Sequence, residues 1–106
     1  MITSSRPSDI LIVLTSLPDA VSAQKLATLL IERRLAACVN ILAPCQSVYR
    51  WQERIEQATE IPLLIKTTAN AYTALEACIR KQHPYELPEI VAVPIDCGLP
   101  EYLGWV

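Results

Sequence analysis

The segment EIPLLIKTT at residues 60–68 constrains the architecture of this chain more than any other. Its length and its Ile, Leu and Thr content predict a β-strand, and Pro62 near its start indicates a sheet edge or a bulge. Leu63 and Ile65 alternate with Leu64, so the strand presents apolar side chains on both faces. A sheet that contains this strand therefore needs a covering layer on each side.

A strand and a helix are predicted near the start of the chain. Residues 10–15 read ILIVLT, the nearly all-apolar run that is typical of a central strand. Pro18 and Asp19 follow and are typical of a first helical turn, where the helix dipole favours an acid. Apolar side chains then recur at the spacing of an amphipathic helix, at Ala23, Leu26, Ala27 and Leu30.

Between that helix and residues 60–68, the sequence predicts one long strand and a connection. Residues 35–49 are rich in Val, Ile, Cys and Ala. Pro44 indicates a bend or bulge within this strand, because a proline cannot donate a hydrogen bond to the ladder. Residues 51–59 are polar and charged, so they are predicted to form the connection of a hairpin.

The second half of the chain predicts a helix, a strand and a short closing element. Thr68 or Asn70 can cap a helix that ends before His83, because the residue preceding a proline is disfavoured in helical geometry. The apolar stripe of this helix is formed by Tyr72, Leu75 and Ile79. Residues 89–95 (EIVAVPI) predict the last strand, and residues 99–105 predict a short helix or turn.

The element order β-α-β-β-α-β predicts a ferredoxin-like, split βαβ fold of the α+β class. It comprises a four-stranded antiparallel sheet with two helices on one face, in a single domain over residues 10–106 behind a flexible N-terminus at residues 1–9. No helix is expected over the second, apolar face of the sheet. The sequence therefore predicts an obligate oligomer in which another subunit buries that face.

Composition excludes several classes of function. The chain has 106 residues, a formal net charge of −2 and no basic stripe, so nucleic acid is not expected as a partner. No apolar run reaches the roughly 20 residues of a membrane span. With only two glycines, Gly98 and Gly104, the chain has no glycine-rich phosphate cradle, and no nucleotide cofactor is expected. No secretory signal is recognisable, which predicts a cytoplasmic protein.

Five stretches give the chain a resemblance to a known family. They are TSLPD at residues 15–19, RLAACVNI at 34–41, SVYRW at 47–51, IKT at 65–67 and HPYELPEI at 83–90. In this order and spacing, with Tyr102 and Trp105 in the tail, the chain resembles the CutA-type divalent-cation tolerance proteins. The resemblance implies a ferredoxin-like homotrimer whose long second and third strands cross between subunits. It also implies tolerance of copper and other divalent metals, without an established enzymatic activity.

The chain departs from the resembled pattern at three positions. Certain members carry a cysteine where this chain has Thr15 and a second histidine where it has Gln82. These two positions and His83 are the family's proposed copper ligands, and only His83 is retained. Many members also carry a glycine where this chain has Glu53.

His83 is the candidate metal ligand, and its alternative role is structural. One imidazole supplies one of the several ligands that a copper or zinc site needs. In an extended segment at about 3.3 Å per residue, Glu89 would lie roughly 20 Å from His83, so a metal site needs a neighbouring subunit. The alternative is a loop histidine that hydrogen-bonds nearby backbone. Cys45 and Cys97 are further candidates for contact with a soft metal.

The other candidates are predicted to line a ligand cleft between subunits; they are Tyr49, Trp51, Glu60, Lys66, Tyr85, Glu86 and Glu89. Lys66 lies mid-strand among apolar residues, so it either pairs with one of these carboxylates or holds an anionic ligand. Tyr49 and Trp51 point the same way on one strand, either as interface anchors or as a stacking platform. Tyr85 is likewise either an interface anchor or part of a stacking platform, and its hydroxyl could also act as a ligand or donate a hydrogen bond.

Two functions follow from these residues and from the resemblance. The first is a non-enzymatic homotrimer for divalent-cation tolerance that binds copper or a similar ion weakly at clefts between subunits. The alternative is a trimeric sensor of a small ligand or anion, bound in the same clefts. An enzyme that uses Lys66, Tyr85 or a cysteine is the weakest interpretation, because no nucleophile lies beside a base in the sequence.

Overall fold

The computed structural model describes residues 9–106, so the predicted flexible N-terminus lies outside the described residues, apart from Asp9. The strands are β1 (Ile10–Leu17), β2 (Cys38–Ile41), β3 (Cys45–Trp51), β4 (Arg54–Thr68) and β5 (Val91–Pro94). The helices are α1 (Ala20–Glu32), α2 (Tyr72–Gln82), which a short 3-10 turn precedes, and α3 (Pro100–Trp105). The predicted α+β class and the order of elements are confirmed, and α3 is the helical alternative for residues 99–105.

All strand pairs are antiparallel, and the order across the sheet is β2-β4-β1-β5. β3 runs in the same direction as β2 and pairs with the first half of β4. The break between β2 and β3 includes Pro44, where the sequence predicts a bend. The predicted single strand over residues 35–49 is therefore two strands, which together occupy one of four positions in the sheet.

The hairpin formed by β3 and β4, here called the β3–β4 hairpin, is much longer than the sequence predicts. Residues 51–59 are not a connection: residues 54–59 belong to β4, and only Gln52 and Glu53 form the turn. The prediction was wrong because this ribbon is largely exposed, so its polar side chains lack the apolar alternation that distinguishes a strand from a loop. The described part of the chain is accordingly elongated, 54 × 26 × 24 Å.

The turn of the β3–β4 hairpin predicts a stabilising substitution. Gln52 and Glu53 have positive φ angles of 50° and 66°, as a two-residue type I′ turn requires. Left-handed geometry costs a residue with a side chain roughly 1–2 kcal/mol, whereas glycine adopts it freely. Glu53→Gly should therefore raise the free energy of unfolding by about 0.5 kcal/mol, after the entropy that glycine adds to the unfolded chain. Thermal unfolding measures the change; Glu53→Val should shift the midpoint downward, and a downward shift for Glu53→Gly would contradict the argument.

The core lies between one face of the sheet and the first two helices. Over residues 13–17 of β1 and 61–67 of β4, every second side chain is buried, as the pleat requires. The helical stripes predicted from sequence supply most of the opposite wall, with Ala23, Leu26, Ala27, Leu30, Leu75 and Ile79 buried. α1 begins at an Asp19 cap, whose carboxylate accepts the Ser22 N–H at 2.7 Å. Burial of each large aliphatic side chain contributes about 1.5–3 kcal/mol, so this layer dominates the stability of the protomer.

The opposite face of the sheet, here called the open face, is mostly without a second layer. Two rows of side chains cross it in register, namely Cys38, Lys66, Ile12 and Val93, then Asn40, Leu64, Leu14 and Val91. α3 covers one end of this face, where Ile10 and Leu103 are buried. The expectation that no helix covers this face is therefore wrong at that end, because the short closing helix folds back onto β1. Over the rest, apolar side chains such as Val93 stay exposed, as the sequence predicts.

Candidate functional site

His83 lies directly after α2 and is held by two hydrogen bonds. Pro84 keeps it in extended geometry, with φ −76° and ψ 135°. Its Nε2 lies 2.6 Å from the Ser16 carbonyl oxygen, so Nε2 carries the proton and donates it there. Its Nδ1 accepts the Tyr85 N–H at 3.1 Å. The side chain is 7% exposed, and in this arrangement neither ring nitrogen offers a free lone pair to a metal ion. A metal role for His83 stays a prediction that requires one of these bonds to open.

Tyr85 extends this cluster from the His83 ring to β4. The two rings pack with centroids 4.7 Å apart, and the Tyr85 hydroxyl donates to Glu60 Oε2 at 3.0 Å. Burial, and then the Glu60 carboxylate, raise the pKa of Tyr85 to about 12, with smaller contributions from Tyr49 and Asp19. His83, Tyr85 and Glu60 therefore form one connected polar cluster where α2, β1 and β4 meet.

The raised pKa of Tyr85 predicts a late step in a tyrosine titration. The folded protein holds the Tyr85 proton up to about pH 12, whereas an unfolded chain releases it near pH 10. The unfolded state binds fewer protons in that interval, so the stability that Tyr85 contributes is complete below about pH 10 and is lost as pH rises through 12. Absorbance of tyrosinate should show a step near pH 12 that disappears in Tyr85→Phe. Tyr102→Phe should keep that step. Tyr72→Phe is a second control, because burial also raises the pKa of Tyr72 and this variant removes the Tyr72 contribution from the titration. Survival of the step in Tyr85→Phe would assign it to another tyrosine.

The β3–β4 hairpin carries the two aromatic candidates beside possible metal donors. The register pairs Tyr49 with Glu56 and Cys45 with Glu60, and paired residues share one face of a ribbon. Trp51 lies on this same face, two residues beyond Tyr49, as the sequence predicts. Tyr49 and Trp51 are 44% and 42% exposed, so the described residues of one protomer cover this aromatic face only in part.

Lys66 lies apart from this cluster. It is six residues from Glu60 along β4, roughly 20 Å at about 3.3 Å per residue. Its Nζ lies 5.7 Å from the centroid of the Tyr102 ring, a cation–π contact with α3. Among residues 9–106 it forms no ion pair with Glu60, Glu86 or Glu89, so the ion pair is not made within the described protomer. Within residues 9–106, Glu60 and Tyr85 thus belong to one region and Lys66 to another, where it contacts Tyr102. Glu86 and Glu89 are exposed.

Sequence reasoning missed three groups at these sites. The Ser16 carbonyl, which accepts from His83, is backbone and leaves no trace in residue identity. Tyr102 was noted only as part of the resembled tail, although an aromatic near the chain end can pair with a lysine on an apolar strand. Thr15 was noted only as a replaced ligand; its Oγ1 is buried and has no hydrogen-bond partner within residues 9–106.

The unpartnered hydroxyl of Thr15 predicts another stabilising substitution. An unsatisfied buried hydroxyl costs about 1–3 kcal/mol, and valine has nearly the same shape without it. Thr15→Val should therefore raise the free energy of unfolding by about 1 kcal/mol, or the thermal midpoint by roughly 4–8 °C in a domain of this size. Thr67→Val is the matched control and should lower the midpoint, because the Thr67 hydroxyl donates to the Leu35 carbonyl at 2.6 Å. A lower midpoint for Thr15→Val would mean that its hydroxyl has a partner in solution.

Two further features bear on what the described chain can bind. Within residues 9–106, no three His, Cys, Asp or Glu side chains come together as a group that could hold a metal ion. Residues 9–106 of one protomer therefore supply no three-ligand metal site by themselves. In the same part of the chain, none of the helices is long and apolar enough to cross a membrane.

Comparisons with known proteins agree with this fold. A model of the family described as CutA1 divalent ion tolerance protein matches residues 11–106. A "Divalent-cation tolerance protein CutA" of Pectobacterium atrosepticum is 40% identical over 104 residues, which cover 97% of this chain and 94% of the relative. The crystal structure of CutA from Xylella fastidiosa superposes with a TM-score of 0.90 at 45% identity, covering 93% of this chain and 95% of that one. A divalent cation tolerance protein (Cut A1) of Thermus thermophilus superposes with a TM-score of 0.90 at 44% identity, covering 92% and 94%. The chain belongs to the CutA1 divalent ion tolerance protein family.

Proposed function

We propose that this protein is a cytoplasmic, non-enzymatic homotrimer that serves tolerance to divalent cations. In this proposal it binds copper or a similar ion weakly at the boundaries between subunits. Family membership supports the role in divalent-cation tolerance. The four cysteines are unpaired, which supports a reducing compartment such as the cytoplasm.

The observation that carries the homotrimer is the apolar surface that one protomer leaves exposed. On the β3–β4 hairpin, Val48 is 63% exposed and Ile55 is 70% exposed, and these side chains are diagonal neighbours on one face. Tyr49 and Trp51 are exposed on the other face, and most of the open face is also uncovered. Apolar patches of this extent are typical of surfaces that associate. The number of three subunits follows the resemblance described above.

The weakness of the proposed metal binding has a physical reason. A bound ion needs ligands from more than one copy, because one protomer brings no suitable group together within residues 9–106. His83 contributes only when one of its two hydrogen bonds opens, either to the Ser16 carbonyl or from the Tyr85 N–H, and this loss offsets part of the gain from coordination. Cys45 and Glu56 on the β3–β4 hairpin are exposed or half-buried and are donors that a neighbouring copy can complete.

Light scattering behind size-exclusion chromatography tests the homotrimer. The expected mass is about 35 kDa, three times the 11.8 kDa of one chain, and it should persist at low micromolar protein concentration. Native mass spectrometry gives the number of copies independently. A monodisperse protomer of 11.8 kDa would overturn the proposed assembly.

Calorimetric titration with copper(II) tests the metal role. The assembled protein should bind the ion weakly, His83→Ala should bind it less tightly, and Gln82→Ala should match the unmodified protein because Gln82 is exposed beside His83. The comparison is made at a temperature at which circular dichroism shows all three proteins folded. Equal affinity of His83→Ala and the unmodified protein would exclude His83 as a ligand.

A further inference from the structure

A pocket of about 350 Å³ lies at the end of the open face that α3 covers. Ile10 and Ile12 of β1 form its floor. Leu99, Tyr102 and Leu103 form the facing wall, and the exposed lining is almost entirely apolar. The volume is at the small end of ligand pockets and corresponds to roughly a dozen water molecules.

Among the lining residues within 9–106, Lys66 is the only one with a charged side chain. Its strand neighbours in register, Cys38 and Ile12, are neutral. Its Nζ lies over the Tyr102 ring, and within residues 9–106 no carboxylate lies at ion-pair distance from it. A half-buried ammonium beside apolar walls is costly without an anion, because water is partly excluded and nothing else neutralises the charge. The pocket therefore has one positive point of attachment and an apolar interior.

We propose that this pocket binds a small organic monocarboxylate. Its carboxylate pairs with the Lys66 ammonium, and its apolar body lies between β1 and α3. A single ammonium offers one positive charge, which one carboxylate neutralises, whereas a phosphate group carries up to about two negative charges and, within residues 9–106, the lining supplies no second cationic side chain. The same positive charge disfavours a divalent cation, so this site is separate from the proposed metal sites. It requires neither the homotrimer nor the metal.

Calorimetric titration of the unmodified protein with hexanoate and with hexanamide tests the charge requirement without any substitution. The two probes have the same apolar body and differ in the negative charge. Hexanoate should bind at least tenfold more tightly than hexanamide. Equal affinity, or no heat from hexanoate at millimolar concentration, would overturn the proposal.

A pair of matched substitutions then assigns the site to Lys66. Lys66→Met places an apolar side chain on an apolar face and should weaken hexanoate binding at least tenfold. Lys66→Arg keeps the charge and should retain binding, and Lys25→Met on the exposed side of α1 should have no effect. Unchanged hexanoate affinity in Lys66→Met would overturn the assignment. A smaller assembly for Lys66→Met, with unchanged affinity for hexanoate, would instead assign Lys66 to an ion pair with a neighbouring copy.

These measurements distinguish failure of the proposed homotrimer from failure of the proposed carboxylate site. A protomer of 11.8 kDa that binds hexanoate with the expected dependence on Lys66 would refute the assembly and support the pocket. An assembly of three copies that does not bind hexanoate would refute the proposed carboxylate site and support the proposed homotrimer.

Discussion

Val48→Glu combined with Ile55→Glu is expected to convert the proposed homotrimer into folded single protomers. Both side chains are largely exposed in one protomer, at 63% and 70%, so glutamate there should change the stability of the protomer by no more than about 0.5 kcal/mol. In the assembly these positions are expected to be buried against a neighbouring copy. An uncompensated buried carboxylate costs several kcal/mol at each boundary, which exceeds what the two lost apolar contacts contribute.

Light scattering and circular dichroism together check this result. The mass should fall from about 35 kDa to the 11.8 kDa of one chain, while the spectrum keeps its helical and strand signals. Val21→Glu is the matched control, because Val21 is 71% exposed on α1, away from the β3–β4 hairpin. Its mass should remain that of the unmodified protein. If the double variant keeps that mass as well, the β3–β4 hairpin is not part of the boundary between subunits.

His83→Ala is expected to cost the protein about 2–4 kcal/mol of its free energy of unfolding. The substitution removes the partners of the Ser16 carbonyl and the Tyr85 N–H at the same time. Each backbone group left buried without a partner costs about 1–3 kcal/mol. The ring also packs against Tyr85, so its loss loosens the link from α2 to Glu60 on β4. The effect is local in origin and does not depend on any bound ion.

Chemical denaturation in the presence of a metal chelator measures this loss. The chelator removes stabilisation by a bound ion, so the remaining difference reports the hydrogen bonds alone. Gln82→Ala is the control and should stay within about 0.5 kcal/mol, because Gln82 is exposed at the end of α2. If the difference disappears once metal is removed, the stabilising role of His83 is ligation and the two hydrogen bonds are secondary.

Several features were predictable from local sequence because each has a local cause. The buried stripes of α1 and α2 follow from helical spacing, and the end of α2 at Gln82 follows from the proline after His83. The interruption between β2 and β3 follows from Pro44. The apolar second face of β4 is visible in Leu63, Leu64 and Ile65, which also predicts an associating surface.

The β3–β4 hairpin and the separation of the site candidates were not predictable in that way. Residues 54–59 form a strand because β3 pairs with them along its length, and polar residues in an exposed ribbon carry no pattern that reveals this. Glu60 and Lys66 lie on one strand, yet Tyr85 reaches the first and Tyr102 contacts the second. The distances of these two contacts cannot be read from the spacing of the residues along the chain.

From the amino-acid order alone one obtains the class of fold, the two packed helices and the family, because propensity, apolar period and short matching stretches act over a few residues. The partners of His83, Tyr85 and Lys66 emerge only when α2, β4 and α3 are brought together. A hydrogen bond or a cation–π contact depends on a few ångströms between residues far apart in the chain, and packing sets that separation.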